Sequence, residues 1–223
     1  MAGLLENLDT AEGLEARRHR HWYDRLMMLA DGVFAIAITF LATYIGAPDH
    51  WGGDWPTLAT HLSGQLSTYS TSFLVISIYW LAHRRFMAMV LTVDAPMTIL
   101  TLVMLGLIAL LPPATRLVST YAPSPAARVV YAALVISIGL SMAVMWAYAS
   151  LVARLVSSEV GAGVRWYLLL LMIFTPPFFL ALTLTAPVLS AGVAPTILAG
   201  LFLVGWPMRR LVIRWLGGKP YVG

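Results

Sequence analysis

Six long apolar stretches, separated by short polar or turn-rich segments, dominate the sequence. They lie near residues 24–47, 65–89, 95–118, 127–153, 164–186 and 193–214. A helix needs about 20 apolar residues to cross a bilayer, and each stretch reaches that length. The segment after the first stretch, APDHWGGDWP, is rich in Gly, Pro and Trp, which is typical of a turn at a membrane surface. The pattern predicts an all-α, polytopic membrane protein with six transmembrane helices.

Prolines interrupt three of the predicted helices. Pro112 and Pro113 fall late in the third, Pro176 and Pro177 in the middle of the fifth, and Pro207 late in the sixth. Each proline removes a backbone donor and favours a kink. The pair in the fifth helix is compatible with a gating hinge or with a static kink.

Composition supports the membrane assignment. Of the 223 residues, 60% are hydrophobic and 11% charged, whereas about 25% of a soluble domain is charged. The mean hydropathy is +0.81. We expect a cytoplasmic N-terminal segment (1–23), a six-helix transmembrane domain (24–216) and a short cytoplasmic tail (217–223).

The distribution of basic residues predicts the orientation. With the N-terminus inside, 12 of the 14 Lys and Arg residues fall on the inner side, and only Arg116 and Arg128 fall outside. Lys and Arg concentrate in cytoplasmic loops, so both termini are expected in the cytoplasm of a multi-pass cell-membrane protein. The net charge of +4 therefore reflects topology, and we expect no nucleic-acid partner.

The first predicted helix carries an acid, Asp31, about a third of the way along its length. A carboxylate at this depth costs several kcal/mol unless it is paired or hydrated, which makes it a candidate functional residue. Arg25 lies six residues earlier, too far for an i,i+4 pair, so the donors should come from another helix or from water. Asp31 is then either part of a polar network that locks helices together or a direct ion contact.

Trp80 and His83, at i,i+3 near the end of the second helix, share one face at a depth that matches Asp31. This match makes a contact between His83 and Asp31, with Trp80 nearby, geometrically reasonable. The alternative for His83 is a side chain that extends to the membrane interface.

Beyond Asp31, the first helix carries a stripe formed by Ile36, Phe40 and Thr43 at i,i+4,i+7 spacing, with Thr39 beside it. In a monomer such a stripe usually packs into the core. In a symmetric oligomer with this helix at the axis, it would form stacked rings, and apolar rings can gate a pore by dewetting. The residues alone leave both interpretations open.

Enzyme chemistry is not indicated. The sequence has no cysteine and no GxSxG, HExxH, P-loop or GxGxxG motif in a suitable context. Its five histidines do not form a metal-ligand pattern, so we expect neither an enzyme nor a bound metal or cofactor.

Three motifs resemble one known family. Arg25-x-x-x-Leu29-Ala30-Asp31, followed by Gly-Val-Phe-Ala-Ile-Ala-Ile-Thr39, is similar to the first-helix signature of the bacterial branch of the transmembrane protein 175 potassium channels, R-x-x-x-F-S-D then G-V-x-A-I-A-x-T. The run from Trp80 through His83 to Phe86 resembles W-x-x-H-x-x-F in their second helix. The segment LLPPAT (110–115) resembles L-L-P-F-P-T in their third.

The resemblance implies a six-helix subunit that assembles as a homotetramer, with helix 1 lining a central pore for permeant K⁺ and no TVGYG filter. It implies that Ile36 forms the narrowest ring, that Phe40 and Thr43 form further rings, and that Thr39 lies by the conduction path. A second implied group is a structural polar network, composed of Arg25, Asp31, Trp80 and His83.

The sequence departs from the family pattern at several positions. Leu29 and Ala30 replace Phe-Ser, Thr101 stands where helix three usually has asparagine, and Phe40 and Thr43 replace aliphatic ring residues. The leading prediction is a potassium-permeable channel with a hydrophobic constriction. The alternatives are a proton-coupled transporter using Asp31 and His83, or a non-conducting membrane scaffold.

Overall fold

The computed structural model describes residues 11–48, 51–121, 124–185 and 212, and this part of the chain is helical. Its elements, in chain order, are α1 (Ala11–Ala42), α2 (Trp55–Met87), α3 (Ala95–Ala109), α4 (Leu111–Thr120), α5 (Pro125–Ala147), a π-helix (Tyr148–Val152) and α6 (Ala162–Thr185). The predicted all-α class is therefore confirmed for the described residues.

Three segments of the described chain are long and apolar enough to cross a membrane: Arg20–Ala42, Ala95–Thr120 and Pro125–Val152. A shorter apolar helix covers Ala162–Phe174. These segments coincide with the first, third, fourth and fifth predicted helices, and their length and composition fit a membrane protein. The sixth predicted stretch, 193–214, lies outside the described residues except for Val212.

Helix α2 is long, at 33 residues, but it is not among the three segments that are both long and apolar enough to cross a membrane. Its first half, WPTLATHLSGQLSTYSTS, is rich in Thr and Ser, which lower the mean hydropathy. Several of these hydroxyls donate to carbonyls one turn back on the same helix, as Thr71 does to Ser67 over 2.9 Å. Because these hydroxyl donors are bonded within α2 itself, the helix can pack against other helices without leaving them unsatisfied.

Helix α1 begins and ends earlier than the apolar pattern indicates. It runs from Ala11 to Ala42, so Thr43 lies in the turn that follows rather than in the helix. The chain after this turn is held to α2, because the Gln65 side-chain oxygen accepts from the Gly46 N–H over 3.0 Å.

The third predicted helix is divided at Leu110, where α3 ends and α4 begins. The break directly precedes Pro112 and Pro113, which have no N–H to donate to the carbonyls of the preceding turn. Regular bonding resumes at Ala114, whose N–H donates to the Leu110 carbonyl over 3.1 Å. Helix α6, in contrast, continues past Pro176-Pro177, and Pro207 lies outside the described residues.

One face of α1 packs against α2, α3 and α4. Its buried side chains recur every three or four residues: Leu26, Ala30, Phe34, Ala37 and Leu41. Helix α5 lies against α3 and α4 on the far side, and α6 packs on α5. Helices α3 and α4 therefore form a middle layer between α1 and α5.

The ends of α2, α3 and α5 are tied together by polar contacts. Asp94 caps α3, because one carboxylate oxygen accepts from the Met97 N–H over 2.9 Å, as the Asp94-Ala-Pro96 pattern predicts. Its other oxygen accepts from the Tyr148 hydroxyl in the π-helix over 2.6 Å. The chain after α2 also pairs with the loop after the π-helix, at Val90 and Val156.

A second set of contacts shapes that loop. The Arg165 guanidinium donates to the carbonyls of Val160 over 2.8 Å and Ser150 over 3.1 Å. The Trp146 indole N–H in turn donates to the Arg165 carbonyl over 2.9 Å. These bonds hold the start of α6 against the end of α5.

Candidate functional site

The face of α1 opposite its core contacts is exposed in the single chain. Ile36 is 61% exposed and Phe40 is 53% exposed, although both are large apolar residues. Thr39 and Thr43 are exposed beside them. The predicted stripe is therefore not packed into the core of one chain. Exposed apolar side chains aligned along one helix face are available to contact lipid or other subunits.

The two threonines of this stripe direct their hydroxyl hydrogens back to the backbone. Thr39 donates to the Ile36 carbonyl over 2.9 Å, and Thr43 donates to the Phe40 carbonyl over 2.7 Å. Because each O–H is used in this way, the hydroxyl oxygen presents lone pairs to its surroundings. Both threonines can therefore offer an oxygen to a cation.

Asp31 is joined to α2 through Trp80. The indole Nε1–H of Trp80 donates to Asp31 Oδ1 over 2.8 Å. Asp31 is exposed in the single chain and Trp80 is partly buried, so the bond lies at the surface of the α1–α2 contact. The depth match between the two helices thus corresponds to a direct contact.

His83 does not take part in that contact. Its side chain is fully buried, and neither ring nitrogen has a hydrogen-bond partner in the described structure. The ring packs 5.9 Å from that of Phe34 and 6.3 Å from that of Phe86. The predicted contact between His83 and Asp31 is therefore not a hydrogen bond in the described structure, and because His83 is buried, its side chain does not extend to the membrane interface. The reason is rotation around α2: His83 turns into the aromatic core, whereas Trp80 stays at the edge.

Arg25 is also separate from Asp31. Six residues correspond to about 9 Å along the axis and about 240° around it, so the two side chains leave α1 on different sides. Within the described residues, no hydrogen bond or ion pair joins them. The structure therefore brings together Asp31 and Trp80 from the four predicted network residues.

A residue outside the predicted network completes this group. The Arg84 guanidinium carbon lies 5.5 Å from the centroid of the Trp80 ring. The signal in the sequence was the i,i+4 spacing of Trp80 and Arg84 on one helix face. It was missed because an arginine at a helix end is usually assigned to solvent.

The positions that depart from the family motif lie in different environments. Ala30 is fully buried, whereas Leu29 is 47% exposed, on the same side of α1 as Ile36. Thr101 is fully buried, and its hydroxyl donates to the Met97 carbonyl of its own helix over 2.9 Å. Among the described residues, no group of three or more His, Cys, Asp or Glu side chains could hold a metal ion.

Residues 25–112 match the family model described as "Endosomal/lysosomal potassium channel TMEM175". A potassium channel of Streptomyces collinus is 32% identical over 144 residues, covering 62% of this chain and 69% of the relative. The chain belongs to the TMEM175 family. A second relative, a potassium channel of Chamaesiphon minutus, is 31% identical over 141 residues, or 60% of this chain and 70% of the relative's own length.

A solved structure extends the match over most of the fold. The crystal structure of a lysosomal potassium-selective channel TMEM175 homolog from Chamaesiphon minutus superposes with a TM-score of 0.56 at 25% identity, covering 86% of this chain and 97% of that one. The resemblance carried by the three motifs is thus confirmed. This TMEM175 family consists of membrane ion channels, so the expectation that the chain is not an enzyme is also confirmed.

Proposed function

We propose that this TMEM175 family member is a potassium-permeable cation channel of the cell membrane. In this proposal the subunit has six transmembrane helices with both termini in the cytoplasm, and four subunits surround a pore lined by α1. Its support is the family membership and the names of its relatives, which are potassium channels. The partners are then other copies of the chain, the lipid bilayer and permeant K⁺.

The observation that carries the proposal is the two-sided character of α1. One side is buried against the rest of the chain at Phe34 and Ala37, while Ile36 and Phe40 are more than half exposed on the other. Four copies of this helix around an axis would bring the Ile36 side chains into a ring. A ring of apolar side chains excludes water when narrow, and it can therefore control ion passage without a carbonyl filter.

Selectivity in this arrangement arises from the cost of removing water from the ion. K⁺ holds its hydration shell less strongly than Na⁺, so it passes a narrow apolar ring at lower cost. The oxygen of Thr39, one turn beyond Ile36, can replace part of the lost hydration because its O–H is already bonded to the backbone. Phe40 adds a bulky ring, and Thr43 adds a polar ring in the turn directly after α1.

The proposed role of the polar network is assembly. The Trp80–Asp31 bond ties α1 to α2 and fixes the rotation of α1, so it controls where Ile36 points. Arg25 and His83 enter this role through the family motif alone. Arg25 is exposed and available to a neighbouring subunit, whereas His83 acts through its packing against Phe34 and Phe86.

The transporter alternative receives less support from the structure. A proton relay between Asp31 and His83 requires a hydrogen-bonded route, yet neither His83 nitrogen has a hydrogen-bond partner in the described structure. The scaffold alternative differs from the channel only in the absence of ion flux.

The test is K⁺ flux through proteoliposomes that contain the purified protein, combined with the oligomeric mass of the same preparation. A channel gives passive, non-saturating K⁺ flux that exceeds Na⁺ flux, from particles of four subunits. Saturable flux that follows a pH gradient would instead indicate the transporter. Flux equal to that of empty liposomes would indicate the scaffold.

A further inference from the structure

Asp31 lies within a segment that is apolar enough to cross the membrane, Arg20–Ala42. Its described hydrogen-bond donor is the neutral indole of Trp80. A carboxylate in a membrane span is costly unless it is paired, hydrogen-bonded or hydrated, and a nearby positive charge therefore stabilises it. The family motif offers Arg25 and His83 for this charge, and neither forms a bond to Asp31 among the described residues.

Arg84 meets the requirement by an indirect route. Its guanidinium carbon lies 5.5 Å from the Trp80 ring centroid, within the roughly 6 Å range of a cation–π contact. The same indole donates its N–H to Asp31. Trp80 therefore lies between a cation on its ring face and an anion at its ring edge.

The two contacts reinforce each other. A cation over the ring face draws electron density from the indole, which makes the N–H a stronger donor to the carboxylate. The contact also limits rotation of the Trp80 side chain and keeps its Nε1 directed at α1. Arg84 is exposed, so its charge can stay in contact with water or lipid headgroups while it serves this role.

We infer that Arg84 is the positioning cation of the Asp31–Trp80 pair, holding the indole against the carboxylate through a cation–π contact. Arg84 lies at an unspecified position of the W-x-x-H-x-x-F motif, so this role belongs to the residues of this chain. It extends the polar network by one member that the motif does not contain. The role of Arg84 can be tested whether or not the protein conducts ions, because the contact with Trp80 lies within one subunit.

The experiment measures hydrogen exchange of the Trp80 indole N–H by ¹⁵N NMR on the full chain in lipid nanodiscs. The Trp80 resonance is assigned by its loss in Trp80→Phe. Arg84→Met replaces the arginine with an unbranched apolar side chain and removes the charge. This variant should speed exchange of the Trp80 indole N–H about two- to fivefold. Arg84→Lys restores a cation and should exchange more slowly than Arg84→Met.

Arg116→Met is the matched control, since the Arg116 guanidinium carbon also lies 5.5 Å from an aromatic centroid, that of Tyr44. It should leave Trp80 exchange unchanged. The inference is overturned if Arg84→Met exchanges at the wild-type rate, if Arg84→Lys is as fast as Arg84→Met, or if Arg116→Met has the same effect. A protein that shows the expected exchange but no K⁺ flux would keep the inference and reject only the channel.

Discussion

Trp80 donates its indole N–H to Asp31 over 2.8 Å, and this bond joins α2 to α1. Ile36 lies five residues after Asp31, about 140° further around the helix. With Asp31 beside α2, Leu41 is buried in the core and Ile36 is exposed on the opposite side of α1. The polar contact and the exposed apolar stripe are therefore two consequences of one helix orientation.

Removing the donor tests the strength of this bond. Trp80→Phe should lower the free energy of unfolding by about 1.5–3 kcal/mol, because a hydrogen bond to a carboxylate acceptor is lost. Asp31→Asn should cost less, since an amide oxygen still accepts from the indole. Equilibrium unfolding in mixed micelles, together with the fraction of protein in the proposed tetramer, measures both effects.

The double variant Trp80→Phe/Asp31→Asn should be less destabilised than the sum of the single changes, by about 0.5–3 kcal/mol. Trp166→Phe serves as the control because Trp166 is 54% exposed on α6, and it should change stability by less than about 0.5 kcal/mol. Strict additivity of the two single changes would show that the bond contributes nothing to folding.

His83 should be replaceable by an apolar residue of similar volume. Its ring packs against Phe34 and Phe86, and its nitrogens have no hydrogen-bond partner in the described structure. We expect His83→Leu to cost less than about 1.5 kcal/mol, whereas His83→Ala leaves a cavity and should cost about 2–5 kcal/mol. Thermal unfolding of the two variants checks this. If His83→Leu prevents tetramer formation as strongly as His83→Ala, the side chain has a polar role in assembly.

Features that depend on local spacing were predictable from the sequence. Asp94 before Pro96 is a pattern typical of a helix cap, and the Met97 N–H bonds to it. The positions of Asp31 and Trp80, each counted from the end of its helix, were enough to predict that the two residues lie at the same depth in the membrane. Periodicity also identified the stripe of Ile36 and Phe40 as one face of α1.

Features that depend on rotation around a helix, or on distant contacts, were not predictable. His83 and Trp80 are three residues apart, yet one enters the aromatic core and the other remains at the edge, because Phe34 and Phe86 occupy the space around His83. The bond from Tyr148 to Asp94 joins residues 54 positions apart. Such pairs carry no periodic signal in a single sequence.

Asp54 should make the start of α2 sensitive to acid. Hydrogen bonds from Thr57, from its side chain first and then its backbone, hold the pKa of this exposed carboxyl below its ordinary value of 3.8. A lowered pKa in the folded state means that the cap stabilises the helix above the ordinary pKa and is lost as the pH falls through the folded one. Asp54→Asn retains an acceptor that does not titrate in this range.

The measurement for this cap is helix content and melting temperature as a function of pH, for wild type and Asp54→Asn. Their difference should be constant near neutral pH and should change as the pH falls below about 4. The wild type should lose stability relative to Asp54→Asn across this range. Parallel pH profiles for the two proteins would show that Asp54 does not cap α2 in its charged form.

Ile36→Asn provides the sharpest test of the proposed constriction. A polar amide at the exposed stripe should hydrate the ring, raise K⁺ leak and reduce the preference for K⁺ over Na⁺. Each reduction of about 1.4 kcal/mol in the barrier raises the flux roughly tenfold. Ile99→Asn is a matched control, because Ile99 on α3 is also 61% exposed and the chemical change is identical.

Liposome flux that rises for Ile36→Asn but not for Ile99→Asn supports a pore lined by α1. An unchanged flux profile, or the same rise in both variants, means that Ile36 is not the residue that limits ion passage.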